Sequence, residues 1–262
     1  MITSVTERLR CAPNLRALFL AGSFGRGSAD AFSDVDFVAI ADPQHHQELS
    51  EHWRTVLQSM EPIIFWNERR GNSILLNAIT ETWLRCDFYI VSDTDLIGRA
   101  KDTLKPLIDA ADIYGTLPVT LPLPTPDVER IGRMIREFIR VLGLLPVAMG
   151  RGEYVTAIKG LGLLRDMLTD LLLENTPTVD RGGILHLSRQ LAQDDMALLA
   201  SLPYPGPNRD EIIKAHIAIA DIFLPMAKRM AVSLNMEWPQ EFEAKTRDHI
   251  SSALNIEFND LQ

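Results

Sequence analysis

The segment from Leu18 to Ile40, LFLAGSFGRGSADAFSDVDFVAI, most constrains this chain, because a turn of small residues separates two apolar runs. The first run stops abruptly at Ala21, as a buried strand does before a tight turn. The second run, from Val35 to Ala41, predicts another buried strand. The turn holds three glycines within six residues: Gly22, Gly25 and Gly27. Glycines permit positive φ and let backbone amides approach a ligand closely, so this turn can hold phosphate oxygens.

Two aspartates, Asp34 and Asp36, lie at the start of the second predicted strand. Alternation along a strand places both carboxylates on the same face. Two like charges at that distance repel each other, and a divalent cation between them removes the repulsion. Mg²⁺ suits the position because it takes oxygen ligands and normally shares them with substrate phosphates. The segment therefore predicts a metal-dependent site for a nucleoside triphosphate.

Two other glycine-rich phosphate-binding motifs do not match this sequence. A Walker loop requires GxxxxGK followed by Ser or Thr, and this turn contains no Lys. A Rossmann fingerprint requires GxGxxG, whereas the glycines here follow the order GxxGxG, with no helix signal directly after them.

The turn and the aspartate pair together resemble the signature of the nucleotidyltransferase superfamily related to DNA polymerase β. The matching residues are Gly22, Ser23, Gly25, Asp34 and Asp36. The resemblance covers only the first part of the chain. It implies a mixed β-sheet with flanking helices that transfers a nucleoside monophosphate to a hydroxyl group.

That family pattern also implies a third carboxylate on a later strand. Residues 62–92 predict a hairpin followed by a further strand, and Asp87 is the only carboxylate within the last apolar run, LRCDFYIV. An isolated charge in such a strand is costly unless it is paired. Arg85, two positions away, is an alternative partner that would make Asp87 an ordinary strand residue.

These residues predict a two-ion mechanism. One Mg²⁺ ion held by Asp34 and Asp36 orients the triphosphate, and a second ion bridged by Asp87 lowers the pKa of the attacking hydroxyl. Ser23 and the backbone amides of the turn hold terminal phosphate oxygens. Arg26 either adds positive charge there or is a solvated side chain.

Four prolines between residues 118 and 126 indicate a change of organisation. The sequence predicts an α+β fold: a nucleotidyltransferase catalytic domain over residues 1–115, a Pro-rich linker over 116–126 and a helical acceptor-binding domain over 127–262. The helical part contains four or five helices by its apolar periodicity, with Asp127 and Asn208 as N-caps. This organisation resembles the bacterial antibiotic nucleotidyltransferases, which adenylylate aminoglycosides or lincosamides. In that architecture the triphosphate lies between the two domains.

The helix predicted over residues 153–174 is the candidate for nucleotide contacts from the helical part. Lys159 and Arg165 interrupt its apolar pattern, and either they reach triphosphate oxygens or they extend from a core helix to solvent. The carboxylates Glu153, Asp166 and Asp170 either bind a cationic acceptor or act as the base, or belong to solvated helix faces.

The composition limits the kinds of molecule that this protein can bind. The net charge is −9 and the chain has no run rich in Lys and Arg, which disfavours a nucleic acid as acceptor and favours a small neutral or cationic one. No apolar run is long enough to cross a membrane, so we expect a cytoplasmic protein. Cys11 and Cys86 form neither a metal spacing nor a disulfide framework.

The sequence therefore predicts a Mg²⁺-dependent nucleotidyltransferase that moves AMP from ATP onto a hydroxyl of a small molecule, such as an aminoglycoside or lincosamide. Two alternatives stay open. One is a protein or tRNA-end nucleotidyltransferase of the toxin-antitoxin type. The other is a nonenzymatic nucleotide-sensing protein with a degenerate site.

Overall fold

The protein divides into two compact units, Met1–Pro122 and Leu123–Gln262, in a computed structural model. The structure describes residues 1–12, 14–96, 98–176, 178–179 and 184–256. The boundary between the units lies inside the predicted linker, later than the expected end of the first domain at residue 115. The reason is that the chain after 115 still packs on the first unit: Leu117 is buried, and the Pro118 carbonyl accepts a hydrogen bond from the Lys101 amide at 2.9 Å.

The first unit is built on one sheet, which has six strands among the described residues. The strands are β1 (Ala17–Leu20), β2 (Val35–Ile40), β3 (Ile63–Arg70), β4 (Ile74–Thr80), β5 (Arg85–Val91) and β6 (Lys105–Asp109). Their order is β3-β4-β5-β2-β1-β6; β2 and β5 run parallel, and the other neighbours run antiparallel. The predicted hairpin is the β3–β4 pair. The mixed sheet and the helices described below confirm the predicted α+β fold.

Helices pack on both faces of this sheet. The helices of the first unit are α1 (Ile2–Leu9), α2 (Gly22–Gly25), α3 (His46–Met60) and α4 (Ile113–Thr116). Trp53 of α3 stacks on Phe88 of β5 with ring centroids 4.5 Å apart, and both side chains are fully buried. The other face of β1 and β2 packs against Leu104, Ile113 and Leu117.

Alternation along β2 and β5 decides which side chains face away from α3. Phe37 and Phe88 point into the core beneath α1 and α3. Asp36 and Asp87 directly precede them and are only partly buried. Because successive side chains point to opposite faces, the two carboxylates lie on the face opposite α3.

The second unit is helical. Its helices are α5 (Val128–Leu142), α6 (Leu145–Gly150), α7 (Tyr154–Asn175), α8 (Leu187–Gln190), α9 (Gln193–Ser201), α10 (Arg209–Ser233) and α11 (Gln240–Leu254). Both predicted N-caps are confirmed, because Asp127 accepts a hydrogen bond from the Arg130 amide and Asn208 accepts from the amides of Asp210 and Glu211. In the core, Phe138 and Phe223 stack face to face. None of the described helices has both the length and the apolar character needed to cross a bilayer.

One helical segment differs from the sequence prediction. The apolar periodicity of residues 183–202 predicts a continuous helix, whereas α8 ends at Gln190 and α9 begins at Gln193. Leu191 and Ala192 adopt extended backbone conformations between them. Leu191 is buried in the core there, so packing outweighs the local helical preference. Gly183 lies outside the described residues.

Candidate active site

The glycine turn predicted after β1 forms the short helix α2, which the sequence did not signal. Gly22 has φ +56°, and a Cβ at this position would overlap Asp36 Oδ2. A Cβ at Gly25 would overlap the Thr103 carbonyl oxygen and lie 2.8 Å from the Leu20 carbonyl oxygen. Only glycine satisfies both the positive φ and the close approach at Gly22. The Asp36 carboxylate therefore rests directly on the turn.

Ser23 lies in this turn with an unsatisfied hydroxyl. The residue is 3% exposed, and its Oγ has no hydrogen-bond partner among the described residues. A buried polar group without a partner is costly, so such groups in native proteins call for an explanation. A ligand oxygen that accepts a hydrogen bond from Ser23 would remove this cost. The predicted role of Ser23 in holding a phosphate oxygen is consistent with this observation.

Asp36 and Asp87 are register partners across the parallel pair β2–β5. The pKa of Asp36 is raised from 3.8 to about 6, first by burial and then by the charges of Asp34 and Asp87, against the opposing effects of Arg26 and Arg99. The structure thus brings the three predicted carboxylates together, and they destabilise one another in their ionised forms.

Asp34 has a cationic neighbour. Arg85 Nη1 lies 3.8 Å from Asp34 Oδ2, and Arg85 Nη2 donates a hydrogen bond to the Phe32 carbonyl at 2.8 Å. The sequence left open a pairing of Arg85 with Asp87, but the register differs: Val35 pairs with Cys86, so the preceding residues Asp34 and Arg85 come side by side. Arg85 therefore holds the loop that carries Asp34.

Asp87 instead accepts a hydrogen bond from an amide. Asn77 of β4 donates to Asp87 Oδ1 at 2.8 Å, and Asn67 of β3 donates to Asn77 Oδ1 at 3.2 Å. Sequence reasoning missed both asparagines. A signal was present in the sequence, because Asn67, Asn77 and Asp87 follow one another at intervals of ten residues. With this spacing the three side chains pair across three successive strands.

Two cationic side chains stand near the carboxylates. The charges of Arg26 and Arg99 both lower the pKa of Asp36, so each lies close enough to interact with it. The guanidinium of Arg99 also lies 5.8 Å from the centroid of the Tyr89 ring. Burial, followed by the charges of Asp87 and Asp36, raises the pKa of Tyr89. Arg99 was not predicted as a site residue, because nothing in its local sequence marks it.

The donor set suits a hard divalent cation. Asp34, Asp36 and Asp87 offer carboxylate oxygens, the ligands that Mg²⁺ prefers, and their mutual repulsion favours a cation between them. Within the described ranges, however, no three His, Cys, Asp or Glu side chains stand in a geometry that already forms a metal site. The residues therefore fit Mg²⁺ by chemistry and charge. Asp34 would exchange its contact with Arg85 for the ion.

The predicted nucleotide contacts of the second unit lie on α7. Lys159 is exposed. Arg165 donates to the Pro203 carbonyl at 2.8 Å, and its guanidinium lies 3.6 Å from the centroid of the Tyr204 ring. These contacts fix the segment after α9, a structural role for Arg165 that the sequence did not predict. The candidate acceptor carboxylates of this region are also exposed: Glu153, Asp166 and Asp170.

Comparisons with known proteins give remote structural matches. No protein-family model matches the chain, and no curated protein matches it in sequence. An aminoglycoside 6-adenyltransferase from Bacillus subtilis is 14% identical with a TM-score of 0.48, covering 96% of this chain and 97% of that one. A nucleotidyltransferase-like protein from Exiguobacterium sibiricum is 12% identical with a TM-score of 0.38, covering 95% and 88%. The spectinomycin adenyltransferase AAD(9) from Enterococcus faecialis, with ATP and spectinomycin, is 14% identical with a TM-score of 0.32, covering 97% and 98%.

Proposed function

We propose that this chain is a Mg²⁺-dependent nucleotidyltransferase that transfers a nucleoside monophosphate, AMP from ATP in the simplest case, to a hydroxyl of a small molecule. One observation carries the proposal. Asp36 and Asp87 are register partners on β2 and β5, and Asp36 rests on the Gly22 turn. A phosphate-holding turn and a carboxylate cluster therefore meet at a single point of the sheet.

The acceptor oxygen attacks the α-phosphorus of the triphosphate, and the bond from that phosphorus to the bridging oxygen of the β-phosphate breaks. Pyrophosphate leaves with the electron pair of that bond. The hydroxyl proton passes to a carboxylate oxygen of Asp87, which acts as general base. Mg²⁺, held by Asp34, Asp36 and Asp87, would neutralise the charge that develops on the phosphate oxygens.

The turn and the nearby arginines supply the binding contacts for the triphosphate. Ser23 Oγ and the amide of Gly22 would donate to phosphate oxygens, which satisfies the buried Ser23 hydroxyl. The Gly25 amide already donates to the Ala21 carbonyl at 2.8 Å, so Gly25 serves the turn through the close backbone approach that its missing Cβ permits. Arg26 lies close enough to affect the pKa of Asp36, so its charge can also act on phosphates there. Lys159 is proposed as a further nucleotide contact. Arg165 is a weaker one, since its guanidinium is already engaged with Pro203 and Tyr204.

For the acceptor, we propose a small hydroxylated molecule that is neutral or cationic, such as an aminoglycoside or lincosamide antibiotic. The net charge of −9 disfavours a polyanionic acceptor, because proteins that grip phosphate backbones present a basic surface. Exposed carboxylates on α7, such as Asp166 and Asp170, are suited to a cationic acceptor.

The test is a transfer assay with each of the four nucleoside triphosphates labelled at the α-phosphate, Mg²⁺, and a panel of aminoglycosides and lincosamides. We expect label on a small acceptor and release of pyrophosphate. Asp34→Asn should abolish transfer without unfolding the protein, because it removes a charged metal ligand at constant volume. Asp42→Asn is the matched control, since Asp42 is an exposed carboxylate that pairs with Arg16 away from the site.

Other outcomes would redirect the proposal. Label in protein or tRNA would favour a macromolecular acceptor of the toxin-antitoxin type. Triphosphate binding without turnover under any condition would favour a nucleotide sensor. Full activity of the Asp34→Asn variant would contradict the assigned site.

A further inference from the structure

A row of hydrogen-bonded amides runs from the edge strand of the sheet to Asp87. Asn67 pairs with Asn77 in the β3–β4 register, and Asn77 pairs with Asp87 in the β4–β5 register. The amide of Asn67 donates to Asn77 at 3.2 Å, and the amide of Asn77 donates to Asp87 at 2.8 Å. We call these three side chains the amide row.

The direction of the donors in the amide row is fixed by chemistry. An ionised carboxylate only accepts hydrogen bonds, so the side chain of Asn77 must turn its NH₂ group toward Asp87. Its carbonyl oxygen then faces Asn67, which must also present its NH₂ group. Both amide orientations therefore follow from the charge of Asp87.

The row makes the two oxygens of Asp87 unequal. Oδ1 accepts the hydrogen bond from Asn77, whereas Oδ2 has no hydrogen-bond partner in the part of the chain that the structure describes. A hydrogen bond to one carboxylate oxygen restricts rotation about the terminal bond of the side chain. Asp87 consequently presents one defined oxygen on the face that it shares with Asp36.

We propose that Asn77 is a positioning residue that orients Asp87 for a divalent cation, with Asn67 supporting Asn77 from the neighbouring strand. This inference rests on the proposed function, in which Asp87 is a ligand of Mg²⁺. Partners that hydrogen-bond to metal ligands orient those ligands and tune their affinity for the metal. The amide row supplies such a partner for Asp87 and extends the site across β4 to the edge of the sheet.

A purely structural role for the row predicts a different result. Cross-strand pairs of polar side chains stabilise a sheet modestly. Loss of such a pair would lower the unfolding temperature and leave the affinity for a metal ion unchanged. Metal affinity, measured separately from activity, distinguishes the two roles.

The experiment measures Mn²⁺ binding to the full chain with a nonhydrolysable ATP analogue, from the paramagnetic resonance signal of free Mn²⁺. Asn77→Ala should weaken Mn²⁺ binding by about 10-fold, within the usual range for such partners. Asn77→Val, which introduces a β-branched residue that favours strands, should do the same, and Asn67→Ala should have a smaller effect. Gln47→Ala is the control, because it removes another amide-to-carboxylate hydrogen bond, from Gln47 to Glu51 on α3, and should leave binding unchanged.

A double-mutant cycle tests whether Asn77 acts through Asp87. In the Asp87→Asn background, Asn77→Ala should cause no further loss of Mn²⁺ binding, because residues that act through each other are not additive. In the transfer assay, Asn77→Ala should lower kcat more than it raises KM for the triphosphate.

Two results would overturn the inference, and they are distinguishable. If Asp87→Asn loses Mn²⁺ binding while folded Asn77→Ala and Asn77→Val variants retain it, Asn77 does not position Asp87 and the proposed function stands. If Asp87→Asn itself binds Mn²⁺ like the wild type, Asp87 is not a ligand, and this part of the proposed function fails together with the inference.

Discussion

Asp36 on β2 and Asp87 on β5 stand directly opposite each other across a parallel strand pair. Like charges in directly opposite positions destabilise a sheet, and burial adds to the cost for Asp36. The protein keeps an arrangement that weakens its own fold. Such a conflict between stability and local charge is typical of functional sites.

Replacing Asp36 should separate stability from function. Without divalent metal at pH 8, we expect Asp36→Asn to stabilise the protein by about 1 kcal/mol, because it removes one of two negative charges that face each other. The same variant should lose transfer activity and should no longer gain unfolding temperature on addition of Mg²⁺. Thermal unfolding with and without Mg²⁺ measures both effects, with Asp42→Asn as the neutral control. A less stable Asp36→Asn variant would show that the carboxylates are not in repulsion.

The glycine turn offers a matched pair of substitutions. Gly22 and Gly27 both have positive φ, at +56° and +70°, but only at Gly22 does an added Cβ meet another group, the Asp36 carboxylate. Gly27→Ala should therefore cost only the backbone strain, about 1 kcal/mol, and retain activity. Gly22→Ala should lose activity and more stability, because it also displaces Asp36. Denaturant unfolding measures the stability of both variants, and the transfer assay measures their activity. Equal effects of the two substitutions would contradict the close contact between Gly22 and Asp36.

A buried carboxylate joins α10 and α11 in the second unit. Glu243 is 3% exposed; burial acts to raise its pKa, but hydrogen bonds from Lys228, Trp238 and Arg247 outweigh burial and lower it. Glu243→Gln should destabilise the protein by about 3 kcal/mol, because it removes the buried negative charge that Lys228 and Arg247 both contact.

The matched control for this prediction is Glu137→Gln on α5. Glu137 also pairs with an arginine, Arg140 at 2.6 Å, but both side chains are about half exposed. Loss of this ion pair should lower the free energy of unfolding by less than about 1 kcal/mol, as is usual for exposed ion pairs. Urea unfolding of both variants tests the difference, and similar costs would show that Glu243 is not a buried anchor.

His216 on α10 makes stability depend on pH. The side chain is 2% exposed and its Nδ1 lies 2.8 Å from the Ile212 carbonyl oxygen; burial lowers its pKa below the ordinary 6.5. Below pH 6.5 the unfolded chain therefore binds a proton that the folded protein does not, so stability falls as pH falls from 6.5 toward the pKa of the folded state. The slope from this group is at most about 1.4 kcal/mol per pH unit.

His216→Gln should flatten the pH dependence of the unfolding free energy between pH 6.5 and 5. His249→Gln, at an exposed histidine on α11, should leave that dependence as in the wild type. Urea unfolding across this pH range measures both variants. A His216→Gln protein with the slope of the wild type would assign the acid sensitivity to other groups.

Local patterns in the sequence predicted several parts of the candidate site. A glycine turn between apolar runs predicts the loop after β1, and alternation places Asp36 on one face of β2. Asp87 could be proposed because the resemblance to the nucleotidyltransferase superfamily implies a third carboxylate, and Asp87 is the only one in the last apolar run. In the second unit, apolar periodicity predicted four or five helices, whereas the described residues form seven, and the caps Asp127 and Asn208 predicted the starts of α5 and α10.

The remaining features depend on contacts between distant segments, which no local pattern encodes. Register decides that Arg85 meets Asp34 rather than Asp87, and that Asn77 meets Asp87. Arg99 lies outside the strands and helices and reaches the carboxylates only through the tertiary fold. The break between α8 and α9 arises because burial of Leu191 outweighs local helical preference.

The parallel pairing of β2 with β5 also has a consequence for the order in which the protein is made. Asp34, Asp36 and the glycine turn lie early in the chain, whereas β5 follows only after α3 and the β3–β4 hairpin have been synthesised. Contacts between distant segments form slowly, because the intervening chain must first be ordered. We therefore expect a nascent chain on the ribosome to hold the turn before it holds Asp87, so that the candidate site is assembled only when the sheet is complete.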